Sequence, residues 1–167
     1  MSTATLNATA QPSQWVTRER PKIDRIACPW LIRRFIDANA EFLYVPADRV
    51  LAVAAETGAT PYDIPGVDYS HVGEACSFDA FIRLHALDDA ALKELATIVR
   101  GADTGKLDLA PQCAGLLAQS LGLSALYTDD HEMLEHGLQM YDAYYAWLRQ
   151  ARGETHHWQP LPDPRRA

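Results

Sequence analysis

The spacing of apolar positions separates a short mixed opening from a long helical remainder. Gln14 to Thr17 and Glu41 to Val45 read as short β-type runs, and a third strand is expected near Tyr62 to Ile64. Helical periodicity then dominates, and predicts helices at Pro29 to Asp37, Ala47 to Glu56, Ser77 to His85, Ala90 to Val99, Pro111 to Leu121 and Asp129 to Arg149. In the last of these, Leu134, Leu138, Tyr141, Tyr145 and Leu148 recur at alternating spacings of four and three, which defines a buried stripe. Asp129 is placed to cap it, with Glu132 completing a capping box. The pattern predicts an α+β, predominantly helical fold in which a small β-sheet is covered by about six helices within a single domain. Residues 1–13 read as a flexible leader, 14–152 as the folded unit, and 153–167, with Pro160, Pro162 and Pro164, as a loose tail.

Composition narrows the classes. A chain of 167 residues, 48% of them hydrophobic, can bury one sizeable core. No apolar run is long enough to span a bilayer, and the opening residues lack the basic and apolar regions of a signal peptide, so no membrane association is expected. Three cysteines, Cys28, Cys76 and Cys113, are an odd number in a chain too large to need staples, which points to the cytoplasm. A formal charge of −7 argues against nucleic acid as a partner, because phosphate binding needs a broad basic face. The charge is uneven, however. Arg18, Arg20, Lys22, Arg25, Arg33 and Arg34 stand against only Glu19 and Asp24, so this segment is a local positive patch suited to a small anion. A homo-oligomer is the protein partner the reading leaves open.

Two constellations carry candidate chemistry. Proline is favoured at the first helical position, so Pro29 is expected to place Cys28 at an N-cap, where free N–H groups lower a thiol pKa and attract anions; Arg25 and Arg33 would act with it. The other reading of Cys28 is a small buried capping residue beside Trp30, Leu31 and Phe35. On the last helix, His131 and Glu135 at i and i+4 can share one ion, and the middle of the chain adds His71, Asp79 and Asp103. Imidazole with carboxylate suits a divalent metal ion, Mn, Fe or Zn, while the alternative is a set of hydrogen-bonded core and surface residues. No phosphate loop, dinucleotide fingerprint or nucleophile elbow is present.

The stretch WVTRERPKIDRIACPWLIRRFIDANAEFLYVP at Trp15 to Pro46 closely resembles the opening of the chromate-resistance protein family. YDIPGV followed by His71, CSFDAF at Cys76 to Phe81, IVRGADT at Ile98 to Thr104 and DDHEMLEHGLQMYDAYYAW at Asp129 to Trp147 extend the resemblance over nearly the whole folded unit. It implies a cytoplasmic protein associated with resistance to chromate, an oxyanion shaped like sulfate, so a small oxyanion, chromate or sulfate-like, is the expected partner. Longer family members add an N-terminal half linked to chromate-responsive transcription, and some are fused to a rhodanese-like domain; neither is expected here, nor is a regulatory DNA-binding role. The function expected is metal-dependent chemistry on, or binding of, a small anion, the enzyme reading being favoured over its alternative, a non-catalytic chromate sensor.

Overall fold

Three short strands, β1 (Gln14–Arg18), β2 (Glu41–Val45) and β3 (Thr60–Pro61), pair in parallel in the order β2-β1-β3. The structure is a computed structural model that describes residues 11–156. Of the expected leader, residues 1–10 lie outside the described residues; of the expected tail, residues 157–167 do. Ser13 already belongs to the fold, because its N–H and hydroxyl both donate to Asp37 Oδ2, at 2.8 and 2.6 Å.

Strand alternation sends side chains to two different cores. Trp15 and Phe42 enter the large cluster, whereas Val16, with Leu43 and Val45 beside it, joins a small one with Val50, Ala59 and Ile64. Helix α2 (Val50–Thr57) covers the small cluster, and the large one is built with α1 (Asp24–Leu31), α3 (Ser77–Leu84), α4 (Ala90–Thr104), α5 (Cys113–Leu126) and α6 (Asp130–Ala146). The α+β, mostly helical architecture is the one expected. β3 lies slightly earlier than predicted and holds only two residues. After Pro61 the backbone turns, with Asp63 at φ 53°, and Tyr62 pairs with Tyr69 instead of continuing the strand.

The first helix departs from expectation. It begins at Asp24, five residues before the proline predicted to open it, so Pro29 is interior and Cys28 is no N-cap. A proline inside a helix leaves the carbonyl four residues back without its donor. Here that carbonyl is Arg25 O, and the hydroxyls of Tyr44 and Tyr62 lie 3.3 and 3.5 Å from it, so the tertiary structure replaces the missing bond. The helix widens into a π-type turn at Ile32–Ile36 before β2.

Helix α4 also runs further than predicted. The predicted helix ends at Val99, but the left-handed terminus is Gly105, at φ 72°. Gly101 serves packing: a Cβ there would lie 2.3 Å from Cys113 Sγ and 2.8 Å from Lys106 O. The extra turn puts Asp103 inside the helix. Helix α6 starts as expected, with Asp129 Oδ1 accepting from Glu132 N–H at 2.8 Å, and Leu134, Leu138 and Tyr141 are buried along its inner face. It lies tightly on α1, with Tyr141 donating to Ile23 O at 3.1 Å and Gly137 opposite Ile26.

The crossing of α1 and α6 yields a stability prediction. A Cβ at Gly137 would lie 2.4 Å from Cγ2 of the fully buried Ile26. Alanine would gain about 1 kcal/mol of helix propensity. Overpacking costs about 1–3 kcal/mol, and a contact this short on a β-branched side chain belongs at the upper end. Gly137→Ala is therefore expected to lower stability by about 2 kcal/mol in urea unfolding; an unchanged or raised midpoint would contradict the close approach.

Candidate functional site

Asp24 opens α1 and is completely buried. Its carboxylate accepts from the N–H groups of Ser77 at 2.7 Å and Phe78 at 3.2 Å, the first two residues of α3. These are donors that a helix N-terminus leaves without an internal partner, so Asp24 joins the starts of two helices. Beside it, Asp63 accepts from Ser77 Oγ at 2.7 Å and from Arg18 at 3.0 Å, with Arg25 Nε at 3.5 Å. Asp103 reaches the same place from the last turn of α4, and His71 arrives on the loop between β3 and α3.

His71 Nε2 stands 3.1 Å from Asp103 Oδ2, 3.4 Å from Asp63 Oδ1 and 3.5 Å from Asp24 Oδ2. Among the described residues, Asp24, His71 and Asp103 are the one set of three or more such side chains whose ligand atoms all lie within 4.8 Å of one another. Exposure is graded across the site: the Asp24 side chain is 1% exposed, Asp103 17% and His71 42%, so the cluster has a closed floor and a face open to water. The backbone is strained on both sides of it. Ile23 at φ 43° and Asp63 at φ 53° occupy a region that β-branched residues in particular avoid, and such strain persists only where surrounding contacts hold it.

Three carboxylates share this space with two guanidinium groups and one imidazole. Burial raises the Asp24 carboxyl above its ordinary range, and the nearby Asp63 adds to the rise. Asp103 is pushed up to about 7, first by burial and then by Asp24 and Asp63. His71 is raised to about 9; its bond to the buried Asp24 is the largest cause, although Asp103 is nearer, and Asp103 and Asp63 add to it against the opposing effect of burial. At neutral pH an imidazolium therefore serves as the local counter-cation.

Of the residues the sequence proposed as ligands, the structure brings His71 and Asp103 together and leaves the other three apart. Asp79 accepts from Cys76 N–H at 3.0 Å, capping α3, and from Arg100 at 3.1 Å. His131 is exposed, with Nε2 2.8 Å from Phe42 O, and Glu135 is held by Arg33 at 2.8 Å. The buried stripe of α6 runs through Met133, Leu134, Gly137 and Leu138, which leaves His131 and Glu135 on its exposed side. Asp24 and Asp63 were missed, since Asp24 within a basic stretch reads as a surface counter-charge and Asp63 falls in the short run read as a strand near Tyr62 to Ile64.

The reactive-thiol expectation for Cys28 is corrected. The side chain is fully buried within α1, and burial together with Asp24 raises its thiol well above the ordinary value, opposite to the effect of an N-cap. Cys76 and Cys113 are buried and free as well. The arginines of the basic segment are likewise engaged. Arg20 bonds Asp130 and the carbonyls of Ser124, Tyr127 and Thr128, and Arg25 bonds the carbonyls of Arg18 and Glu19. Arg34 forks onto Asp142 at 2.6 and 2.8 Å, and Arg33, paired with Glu135, lies over the Phe42 ring.

These electrostatics predict a titration. His71 and Asp103 both hold a proton more tightly folded than unfolded, so the stability they confer is full at low pH and is lost as pH rises. For Asp103 the loss runs from 3.8 to about 7, and for His71 from 6.5 to about 9. In metal-free protein the His71 imidazole should titrate near 9 by NMR, and Asp103→Asn should lower that midpoint. A midpoint at or below the ordinary 6.5 would contradict the ion cluster.

Comparison with known proteins gives two matches. Residues 15–148 match the family model described as ChrB, C-terminal domain. The chain is 31% identical over 143 residues to Protein ChrB of Cupriavidus metallidurans; the aligned part covers 85% of this chain and 43% of that protein, so the chain spans less than half of the relative's length. No solved structure matches. Among the described residues no helix is long and apolar enough to cross a membrane. With a match running from β1 through the last buried turn, this chain belongs to the ChrB C-terminal domain family of chromate-resistance proteins.

Proposed function

We propose that this chain is a cytoplasmic metal-binding domain in which Asp24, His71 and Asp103 hold one divalent ion, Mn, Fe or Zn, whose open side takes a small oxyanion. The observation that carries this reading is the spacing of the donors. Two ligands each about 2.1 Å from one ion stand roughly 3.0–3.4 Å apart in octahedral or tetrahedral geometry, and His71 Nε2 lies 3.1–3.5 Å from its carboxylate neighbours. The donor set is nitrogen and oxygen, which suits these metals and not a thiolate-preferring one. Asp63, tied to Arg18, Arg25 and Ser77, would orient the site from behind.

Charge supports the anion as the second ligand. Arg18, Arg25 and the His71 imidazolium balance the three carboxylates, so the metal-free pocket offers an oxyanion no excess positive charge, whereas a divalent ion taking the place of the single His71 proton would supply it. His71, the most exposed of the three donors, marks the side from which it would enter. The arginine patch is a weaker candidate for the same ligand, because Arg18, Arg20, Arg25, Arg33 and Arg34 all have partners within the chain. The three free thiols agree with a cytoplasmic setting. A non-catalytic oxyanion sensor is the second reading, favoured by the burial of Cys28 and Cys76, which leaves no accessible thiol nucleophile. Product formation by the metal-loaded protein separates the two.

Equilibrium with Mn(II) or Zn(II), followed by metal analysis, tests the site. One ion per chain is expected, with at least a tenfold loss of affinity in His71→Ala and Asp103→Asn and none in His131→Ala, Glu135→Gln or His136→Ala. A concentration of metal one hundred times its Kd should stabilise the parent by about 2.7 kcal/mol, reversibly with a chelator. Full metal content in both His71→Ala and Asp103→Asn, or its loss in His131→Ala, would overturn the assignment.

A further inference from the structure

Each residue of the Asp24, His71 and Asp103 cluster offers an ion a single atom. Asp24 turns Oδ2 towards His71 while its Oδ1 stays on the Phe78 N–H at 3.2 Å, and Asp103 presents Oδ2. A further carboxylate, Asp63, is occupied elsewhere: Oδ1 accepts the Ser77 hydroxyl at 2.7 Å, and Oδ2 faces the guanidinium groups of Arg18 and Arg25. Among the described residues no fourth His, Cys, Asp or Glu joins the set. A six-coordinate ion such as Mn(II) or Fe(II), held by three such donors, keeps about three positions free, and of any three left on an octahedron at least two are adjacent.

The free side of the cluster faces water. Asp24 closes the floor, and His71 stands at the open edge. The segments that carry Asp24 and Asp63 leave the carboxyl ends of β1 and β3, which is the edge where open parallel sheets bind small ligands. Charge limits what fits. A ligating His71 is neutral, so the carboxylates of Asp24, Asp63 and Asp103, set against Arg18, Arg25 and a divalent ion, leave one positive charge. Arg100 and Lys106, on either side of Asp103 in α4 and just after it, are cancelled by Asp79 and Glu74.

We propose that the ligand of this site is a singly charged organic anion that grips the metal through two neighbouring oxygens, as an α-hydroxy or α-keto carboxylate does. The proposal rests on the metal reading above and narrows its oxyanion. Adjacent positions about 2.1 Å from an ion are roughly 3.0 Å apart, a span that the oxygens of a five-membered chelate ring match better than two oxygens on one atom. Chelation makes attachment of the second oxygen intramolecular, which favours such a ligand over a carboxylate bound through one oxygen. A dianion such as sulfate overshoots the single positive charge.

Water-proton relaxation of the Mn(II)-loaded protein, titrated with tropolonate, acetate and sulfate, tests this; tropolonate is a singly charged anion that chelates through two oxygens in a five-membered ring. The parent should hold about three exchanging waters on manganese, and tropolonate should remove about two of them. It should bind at least tenfold tighter than acetate or sulfate. His71→Ala should return the relaxation of free manganese, which places the ion at this site. A manganese ion that depends on His71 but carries one water or none before any ligand is added overturns the proposal and leaves the metal site standing. So does acetate or sulfate binding as tightly as tropolonate. Manganese that does not bind, or whose binding is unchanged in His71→Ala, overturns both the chelated ligand and the metal site.

Discussion

The buried carboxylate of Asp24 is the constraint on which the arrangement of the chain depends. It lies at the start of α1, accepts the first two free N–H groups of α3, and faces His71 and Asp103 from beneath. A carboxylate with no exposure costs several kcal/mol in desolvation unless it is bonded or balanced by positive charge. Helix α3 supplies two donors and the positive end of its dipole, and His71 supplies a proton or, on the proposed reading, gives up that proton to ligate a metal. The loop from β3 to α3 follows from this, because Asp63 and His71 must both return to Asp24 after the chain leaves the sheet. The left-handed backbone at Ile23 and Asp63 is the local strain of making that return.

The positive charge of the opening segment is used inwardly. Arg18 and Arg25 stand behind Asp63, while Arg20, Arg33 and Arg34 fasten the first third of the chain to the last helix and the turn before it. Several of these bonds end on carbonyl oxygens, which hold a guanidinium in place without cancelling its charge. The segment therefore organises the fold more than it presents a basic surface. What remains open to solvent at the site is the edge formed by His71 and Asp103.

Local signals in the sequence survived and non-local ones were hidden. The start of α6 was legible because Asp129 and the N–H of Glu132 that it receives are three residues apart and need nothing else. The start of α1 was not. Pro29 is tolerated inside the helix because hydroxyls on β2 and just after β3 reach the carbonyl it leaves unpaired, a compensation that no window around Pro29 contains. The same division governs the site. His71 and Asp103 stood out as residue types with ligand chemistry, but the residue that gathers them, Asp24, looked like one of two acids among six bases. His131 and Glu135 were attractive because i and i+4 are neighbours on a helix, yet that spacing says nothing about whether the pair faces inward. Met133 and Gly137 decide that, and they turn the pair to solvent.

The central claim is positional: Asp24, His71 and Asp103 converge on one point that holds a divalent ion. Anomalous diffraction from crystals of the protein grown with Mn(II) tests this most directly, because it locates the ion independently of any variant. A single strong peak in contact with His71 Nε2 and the carboxylates of Asp24 and Asp103 is the predicted result. A peak beside His131 and Glu135, or none in crystals that bind no manganese, would contradict it.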